Sequence, residues 1–248
     1  MDTWKYYDIT HTFHTLMNPQ SVEKIDELIG FLHMEPESTV LDVGCGKGEF
    51  LRRLANAVTI NAIGVDLSPY TIAEAKERTK DLANESAITY VEADGKEFVS
   101  AQNSLFDLSI CMGASWIFGD HRGTLEALKE ITKDKGLIVV GEPYWKASPS
   151  DWYLKISEIK EDDFLHYHEN IEVGEELGLR PVYTLDSSLD DWDRYEWLQS
   201  LATDHYLLEH PSDPDNEELR TKVEKYRQAY VKEGRNIFGW AIYVFRKM

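Results

Sequence analysis

An apolar run, Val40-Leu41-Asp42-Val43, leads into Gly44-Cys45-Gly46-Lys47-Gly48, where every second residue is glycine. Glycine at such a turn lets the backbone take positive φ and lets a ligand approach where a Cβ would obstruct it. A helix opening directly afterwards presents free N–H groups that favour a negative or strongly dipolar partner. Two carboxylates follow at matching positions. Gly64-Val65-Asp66-Leu67 ends one β-branched run in Asp66, and Glu92-Ala93-Asp94-Gly95 ends another in Asp94. Asp66 can accept hydrogen bonds from both hydroxyls of an adenosine ribose, the geometry that dinucleotide folds use. Asp94 can accept from an adenine amino group while a neighbouring backbone N–H reads the ring. Either acid alone reads as well as a helix N-cap. Three such loops at one edge of one sheet are hard to obtain by accident.

The elements that must position these residues alternate. Residues 1–19 are aromatic and without periodicity, and they are expected to be an irregular lid. Val22, Ile25, Leu28, Ile29 and Leu32 recur at helical spacing behind Ser21, a suitable N-cap, and Pro36 closes the segment. Strands are expected over 39–43, 58–65, 88–92, 106–112 and 137–140, with helices over 48–57, 68–82 and 123–132 between them. Alternation of this kind requires right-handed parallel crossovers, hence an α/β doubly wound sheet. The first crossover of such a sheet is where it binds a cofactor, which strengthens the reading of the glycine turn. Further on, a helix ends within 174–179, a strand covers 180–185, and helices cover 191–209 and 217–232 around Pro211 and Pro214. A final strand over 237–245 is apolar on both faces. The two late helices are therefore an insertion covering one edge of the sheet's mouth. The expected organisation is one domain over 1–248: lid and helix to 37, cofactor-binding core over 38–142, and a substrate-side half over 143–248 with its insertion near 189–233.

Composition narrows the class. The 248 residues carry 26 Lys plus Arg against 45 Asp plus Glu, a net charge of −19 that repels phosphate backbones and anionic lipid surfaces. No apolar run is long enough to span a bilayer, and Met1-Asp2-Thr3-Trp4-Lys5 does not begin a secretory pattern. Cys45 and Cys111 are the two cysteines, too few for a disulfide scaffold or a Cys-rich zinc site. The expectation is a cytoplasmic protein, monomer or homodimer, with no nucleic-acid or membrane partner. Asp120-His121 lacks a third ligand at recognisable spacing, so no metal is expected.

Residues 39–142 resemble the class I S-adenosylmethionine-dependent methyltransferases. The resemblance rests on Asp42-x-Gly44-x-Gly46-x-Gly48, Asp66, Asp94 and Phe106-Asp107-Leu108. It implies a seven-stranded, mostly parallel sheet whose last strand inserts antiparallel between its neighbours. It also implies S-adenosylmethionine as cofactor and S-adenosylhomocysteine as product. Backbone around Gly44, Cys45, Gly46 and Gly48 would then meet the methionine part, Asp66 the ribose, and Leu67 the adenine face. Asp94 and Gly95 would read the adenine edge, with Cys111 and Met112 beside the methionine moiety. Nearly the whole chain is similar to the bacterial YjhP-like methyltransferases. That similarity rests on His14-x-x-x-Asn18-Pro19, Gly113-Ala114-Ser115-Trp116-Ile117, Gly141-Glu142-Pro143-Tyr144-Trp145, Trp192-Asp193-Arg194-Tyr195-Glu196 and Phe238-Gly239-Trp240.

A nicotinamide dehydrogenase would need glycine at position 49, where Glu49 instead places a carboxylate near the pyrophosphate. Methyl transfer needs mainly alignment and exclusion of water, with a base only if the acceptor arrives protonated. Glu142, ending the fifth strand, is the first candidate base, with an orienting hydrogen-bond acceptor as its bland reading. His14, in the lid, is the second candidate. Trp116, Tyr144 and Trp145 are expected to wall the substrate. Trp192, Arg194 and Tyr195 read as structural, Arg194 pairing with Asp190, Asp191 or Glu196. The function expected is methyl transfer to a small molecule. A non-catalytic cofactor-binding sensor and a protein methyltransferase are the alternatives.

Overall fold

The structure is a computed structural model that describes residues 1–80, 82 and 86–248. Its centre is a sheet in the order β3-β2-β1-β4-β5-β7-β6. These strands are β1 (Ser38–Val43), β2 (Ile60–Asp66), β3 (Ala87–Glu92), β4 (Phe106–Met112), β5 (Thr132–Trp145), β6 (Leu179–Asp186) and β7 (Phe238–Lys247). The first five are parallel, and β7 lies antiparallel between β5 and β6. The chain reverses its direction of winding between β1 and β4, so the carboxyl ends of β1 and β4 diverge into a crevice there. Asp107, at the start of β4, accepts from the Thr39 amide and hydroxyl, both at 2.8 Å, and so pins these two strands together.

The main helices beside the sheet are α1 (Thr3–Thr10), α2 (Val22–Leu32), α3 (Glu49–Ala57), α4 (Pro69–Arg78), α5 (Gly95–Ser100), α6 (His121–Ile131), α7 (Asp151–Ser157), α8 (Tyr167–Glu176), α9 (Leu189–Glu209) and α10 (Asn216–Ala229). Their starts follow local chemistry. Ser21, Ser68 and Ser188 cap α2, α4 and α9 through their side chains, and Pro69 supplies the first turn of α4. Val40, Leu108, Val139, Ile242 and Val244 bury one sheet face together with Ile25, Leu28 and Leu51 of α2 and α3. Leu41, Cys111, Ile138, Val140 and Phe245 bury the other face with Leu125 and Leu128 of α6.

Several expected elements need correction. The lid is irregular only over residues 11–20: before them, Asp2 caps α1 by accepting from the Lys5 amide at 2.9 Å. Two apolar side chains, Tyr6 and Ile9, hold this short helix against Leu219 and Val223 of α10, too few to register as periodicity. β5 extends well past 137–140 because β7 pairs with it as far as Trp145, opposite Phe238. Helices α5 and α7, which were not expected, are too short for a periodic signal. The expected helix over 68–82 closes at Arg78, and residue 81 of its expected last turn lies outside the described residues. After α10 the chain makes one wider turn, Tyr230–Gly234, before entering β7.

Candidate active site

The glycine turn has the strained geometry that its composition demands. Gly44, Gly46 and Gly48 hold φ of +73°, +51° and +68°. A Cβ on Gly44 would stand 2.6 Å from Ala114 Cβ, and one on Gly48 would collide with the Tyr90 ring. Asp66 reaches back to the turn. Its Oδ2 accepts from the Gly46 amide at 2.9 Å, while Oδ1 accepts from the Ser68 amide at 2.9 Å and the Thr71 hydroxyl at 3.0 Å. A carboxylate offers about four lone-pair positions, so Oδ2 keeps one for an outside donor.

These residues border a cavity of about 610 Å³ at the crevice. Gly44, Gly46, Asp66, Leu67, Asp94 and Gly95 all line it, as do Met112 and Trp116, the latter 64% exposed. Asp94 also caps α5, accepting from the Glu97 amide at 2.9 Å, so its ligand-facing and structural readings coexist. A small recess shares Gly44, Gly46 and Met112 with this cavity, and Asp42, Cys45 and Asn18 line it. Asn18 Oδ1 is buried and has no hydrogen-bond partner among the described residues. Burial, with repulsion from Asp66 added, pushes the Asp42 carboxyl up to about 8.

The cover comes from the N-terminal segment and from α9. Buried Lys47 donates to the His11 carbonyl at 2.9 Å and pairs with Glu74 at 2.9 Å. Arg78 donates to the Thr15 carbonyl at 3.2 Å. Beyond the cover lies a second cavity of about 320 Å³, bordered by α1, α7, α9 and α10. Tyr7, His11 and Tyr195 line both cavities and stand where the two adjoin.

This arrangement has counterparts. A family described as a methyltransferase domain matches residues 40–136. The uncharacterized protein YjhP of Escherichia coli (strain K12) is 30% identical over 245 residues, 98% of either chain. The chain belongs to the YjhP-like S-adenosylmethionine-dependent methyltransferases. Two solved structures share its fold throughout. A methyltransferase from Geobacter sulfurreducens, in complex with S-adenosylhomocysteine, has a TM-score of 0.91 at 29% identity and covers 98% of either chain. Another from Thiobacillus denitrificans, in the same complex, has a TM-score of 0.91 at 30% identity over the full length of both. The residues present here fit that cofactor. A glycine turn with no room for Cβ atoms and a free position on Asp66 border the crevice, and Asn18, whose Oδ1 has no hydrogen-bond partner among the described residues, lines the recess beside it.

Other expected site residues of this methyltransferase stand elsewhere. Cys111 is fully buried in the core, because it alternates with Met112 along β4 and points to the opposite side. Gly48 shapes the turn against Tyr90 and does not line the cavity. Glu142 is buried behind the loop after β4, where it accepts from the Ser115 hydroxyl and lies 3.4 Å from His121 Nδ1. Burial raises its carboxyl, and it touches neither cavity, so it braces the loop that presents Trp116. His14 donates through Nε2 to the Tyr195 carbonyl at 2.9 Å and faces away from the crevice. Its burial lowers it to about 4, so it is a neutral fastening for the lid.

Tyr144 donates to Asp186 at 2.8 Å, and Trp145 Nε1 donates to the Glu161 carbonyl at 2.8 Å, so both are core residues. Asp191 pairs with Lys24 at 2.7 Å, and Arg194 forms no ion pair with Asp190, Asp191 or Glu196 among the described residues. Glu49 is bound by Arg52, Arg53 and Arg78. The residues missed in the sequence are Tyr7, His11 and Tyr195. The aromatic richness of the N-terminal segment is the available signal for Tyr7 and His11, whereas Tyr195 belongs to the piece over 192–196 and reads as structural there.

Proposed function

We propose that the enzyme methylates a small molecule held in the 320 Å³ cavity, with the cofactor in the 610 Å³ cavity next to it. The carrying observation is that the two cavities adjoin, sharing Tyr7, His11 and Tyr195 in their lining. When bound, S-adenosylmethionine supplies an electrophilic methyl group on a sulfonium. Asp66 would hold its ribose, Asp94 and Gly95 its adenine edge, and Leu67 would flank the ring. Asp42, Asn18 and the Gly44–Gly46 backbone would receive the amino-acid end, whose ammonium suits two oxygen acceptors.

The chain's own part is to position and to dehydrate. Tyr195 and His11, hydrogen-bonded to each other, would form a rigid rim where the two cavities meet and donor and acceptor would face each other, with α1, α9 and α10 covering it. A small acceptor is favoured because the second cavity lies among helices and has about the volume of a small metabolite site. One domain over residues 1–248, acting in the cytoplasm, is consistent with this reading. Incubation with methyl-labelled cofactor and fractionated small-molecule extract tests it: label should enter a low-mass product. Label entering only protein or nucleic acid would overturn the proposal.

A further inference from the structure

Glu196 is the one carboxylate lining the second cavity, and it makes no hydrogen bond or ion pair among the described residues. Its surroundings are aromatic. Tyr6 of α1, Tyr153 of α7, Tyr195 of α9 and Tyr230 after α10 all lie within reach of its charge. Trp192 and Phe238 complete the wall and pack on each other, ring centres 6.0 Å apart.

Cations of the chain leave this carboxylate alone. Lys222 also lines the cavity, yet its ammonium sits 3.9 Å from the centre of the Tyr6 ring and forms no pair with Glu196. Arg235, beside the cavity-lining Gly234, is bound to Asp193 through two contacts of 2.9 Å. His11, where the two cavities adjoin, is held neutral by burial, which lowers it to about 3. An unpaired carboxylate among electron-rich rings is costly unless something positive arrives. Ring faces attract such a group, as the position of Lys222 over Tyr6 already illustrates.

Resting on the two-cavity reading above, we propose that this chamber binds a cationic amine, its ammonium held by the Glu196 carboxylate against the rings of Tyr6, Trp192, Tyr195 and Tyr230. The methyl acceptor then carries an amine, and since an ammonium has no lone pair, methylation of that nitrogen itself would require it to give up a proton first. Alone in the chamber, Glu196 is pushed up to about 8 by burial. A bound cation favours the carboxylate, so binding expels a proton and strengthens as pH rises.

Choline, a permanent cation, and 3,3-dimethylbutan-1-ol, its uncharged isostere, separate charge from shape. Both are titrated calorimetrically into the full chain saturated with S-adenosylhomocysteine. Choline should bind at least about tenfold more tightly than the isostere. Its affinity should rise from about one pH unit below the Glu196 value to about one unit above it. Glu196→Gln should weaken choline by about thirtyfold or more, remove the pH dependence, and leave the isostere within about twofold. Equal affinity of the two probes, or no choline binding at millimolar concentration, overturns the amine assignment. Both of those outcomes are read on the wild-type chain, so a variant that folds poorly does not blunt the test. Failure of S-adenosylhomocysteine to bind would instead sink the cofactor placement on which the assignment rests.

Discussion

The Tyr195 hydroxyl donates to His11 Nε2 at 2.8 Å, joining the N-terminal segment to α9 across 184 residues of sequence. The direction is fixed by the other ring nitrogen. His11 Nδ1 lies 3.2 Å from the Tyr7 carbonyl, which can only accept, so Nδ1 carries the proton and Nε2 is free to receive. The bond lies where the two cavities adjoin and anchors the lid. Tyr195→Phe removes the donor and leaves a buried acceptor unpaired. Urea unfolding should show a loss of about 1–2 kcal/mol, with S-adenosylhomocysteine affinity changed only a fewfold. Unchanged stability would mean that the lid is held by its other fastenings alone.

Asp66 has a double duty that sharpens its test. Its carboxylate supports the turn through the Gly46 amide and α4 through Ser68 and Thr71, besides facing the cavity. Asp66→Ala should weaken S-adenosylhomocysteine binding by about 1.5–3 kcal/mol and also lower the melting temperature of the free chain. Calorimetry that finds full affinity in this variant would exclude the ribose role.

At Gly44 the restriction is backbone and space together. Ala there would carry φ of +73° and a Cβ 2.6 Å from that of Ala114. Gly44→Ala should cost about 1–3 kcal/mol of stability and shift the loop after β4, which bears Trp116. A variant with wild-type melting and cofactor affinity would show that the crevice yields more than a packed interior should.

The turn, Asp66 and Asp94 were legible in the sequence because each belongs to one strand–turn–helix step, in which local spacing dictates position. Glu142 misled because its depth is decided elsewhere: Ser115 and His121, from the loop after β4 and the helix that follows, fold over it. Tyr195 and Glu196 stand in the 192–196 piece of the family similarity, but nothing local tells which way they face. They sit on α9, whose apolar and polar residues form no single stripe because it faces the lid, α10 and the chamber at once. His11 meets Tyr195 only once the insertion has docked. Such meetings are tertiary facts, and short-range periodicity carries no trace of them.

The lid should respond to ligand. Its fastenings, the Lys47 bond to the His11 carbonyl and the Arg78 bond to the Thr15 carbonyl, hang from the turn and α4, which border the cofactor cavity. Hydrogen exchange over residues 3–17 should slow on addition of S-adenosylhomocysteine by more than exchange in β1 or β4 does. Equal slowing in lid and central strands would make the segment a static wall.

Asp42 gives a pH signature. Burial, and then the neighbouring charge of Asp66, raise its carboxyl to about 8, against about 3.9 in an unfolded chain. A group whose folded value is raised contributes its stability below the unfolded value and loses it as pH climbs through the folded one. The wild-type chain should therefore lose stability relative to Asp42→Asn between about pH 4 and pH 8. At pH 8 the variant should be ahead by more than about 1 kcal/mol in urea unfolding. Saturating S-adenosylhomocysteine should shrink that lead, since an ammonium placed beside Asp42 restores the value of its charge. A constant difference between the two proteins across the pH range would show that Asp42 ionises normally. A lead at pH 8 that ligand leaves untouched would instead place the amino-acid end of the cofactor away from this recess.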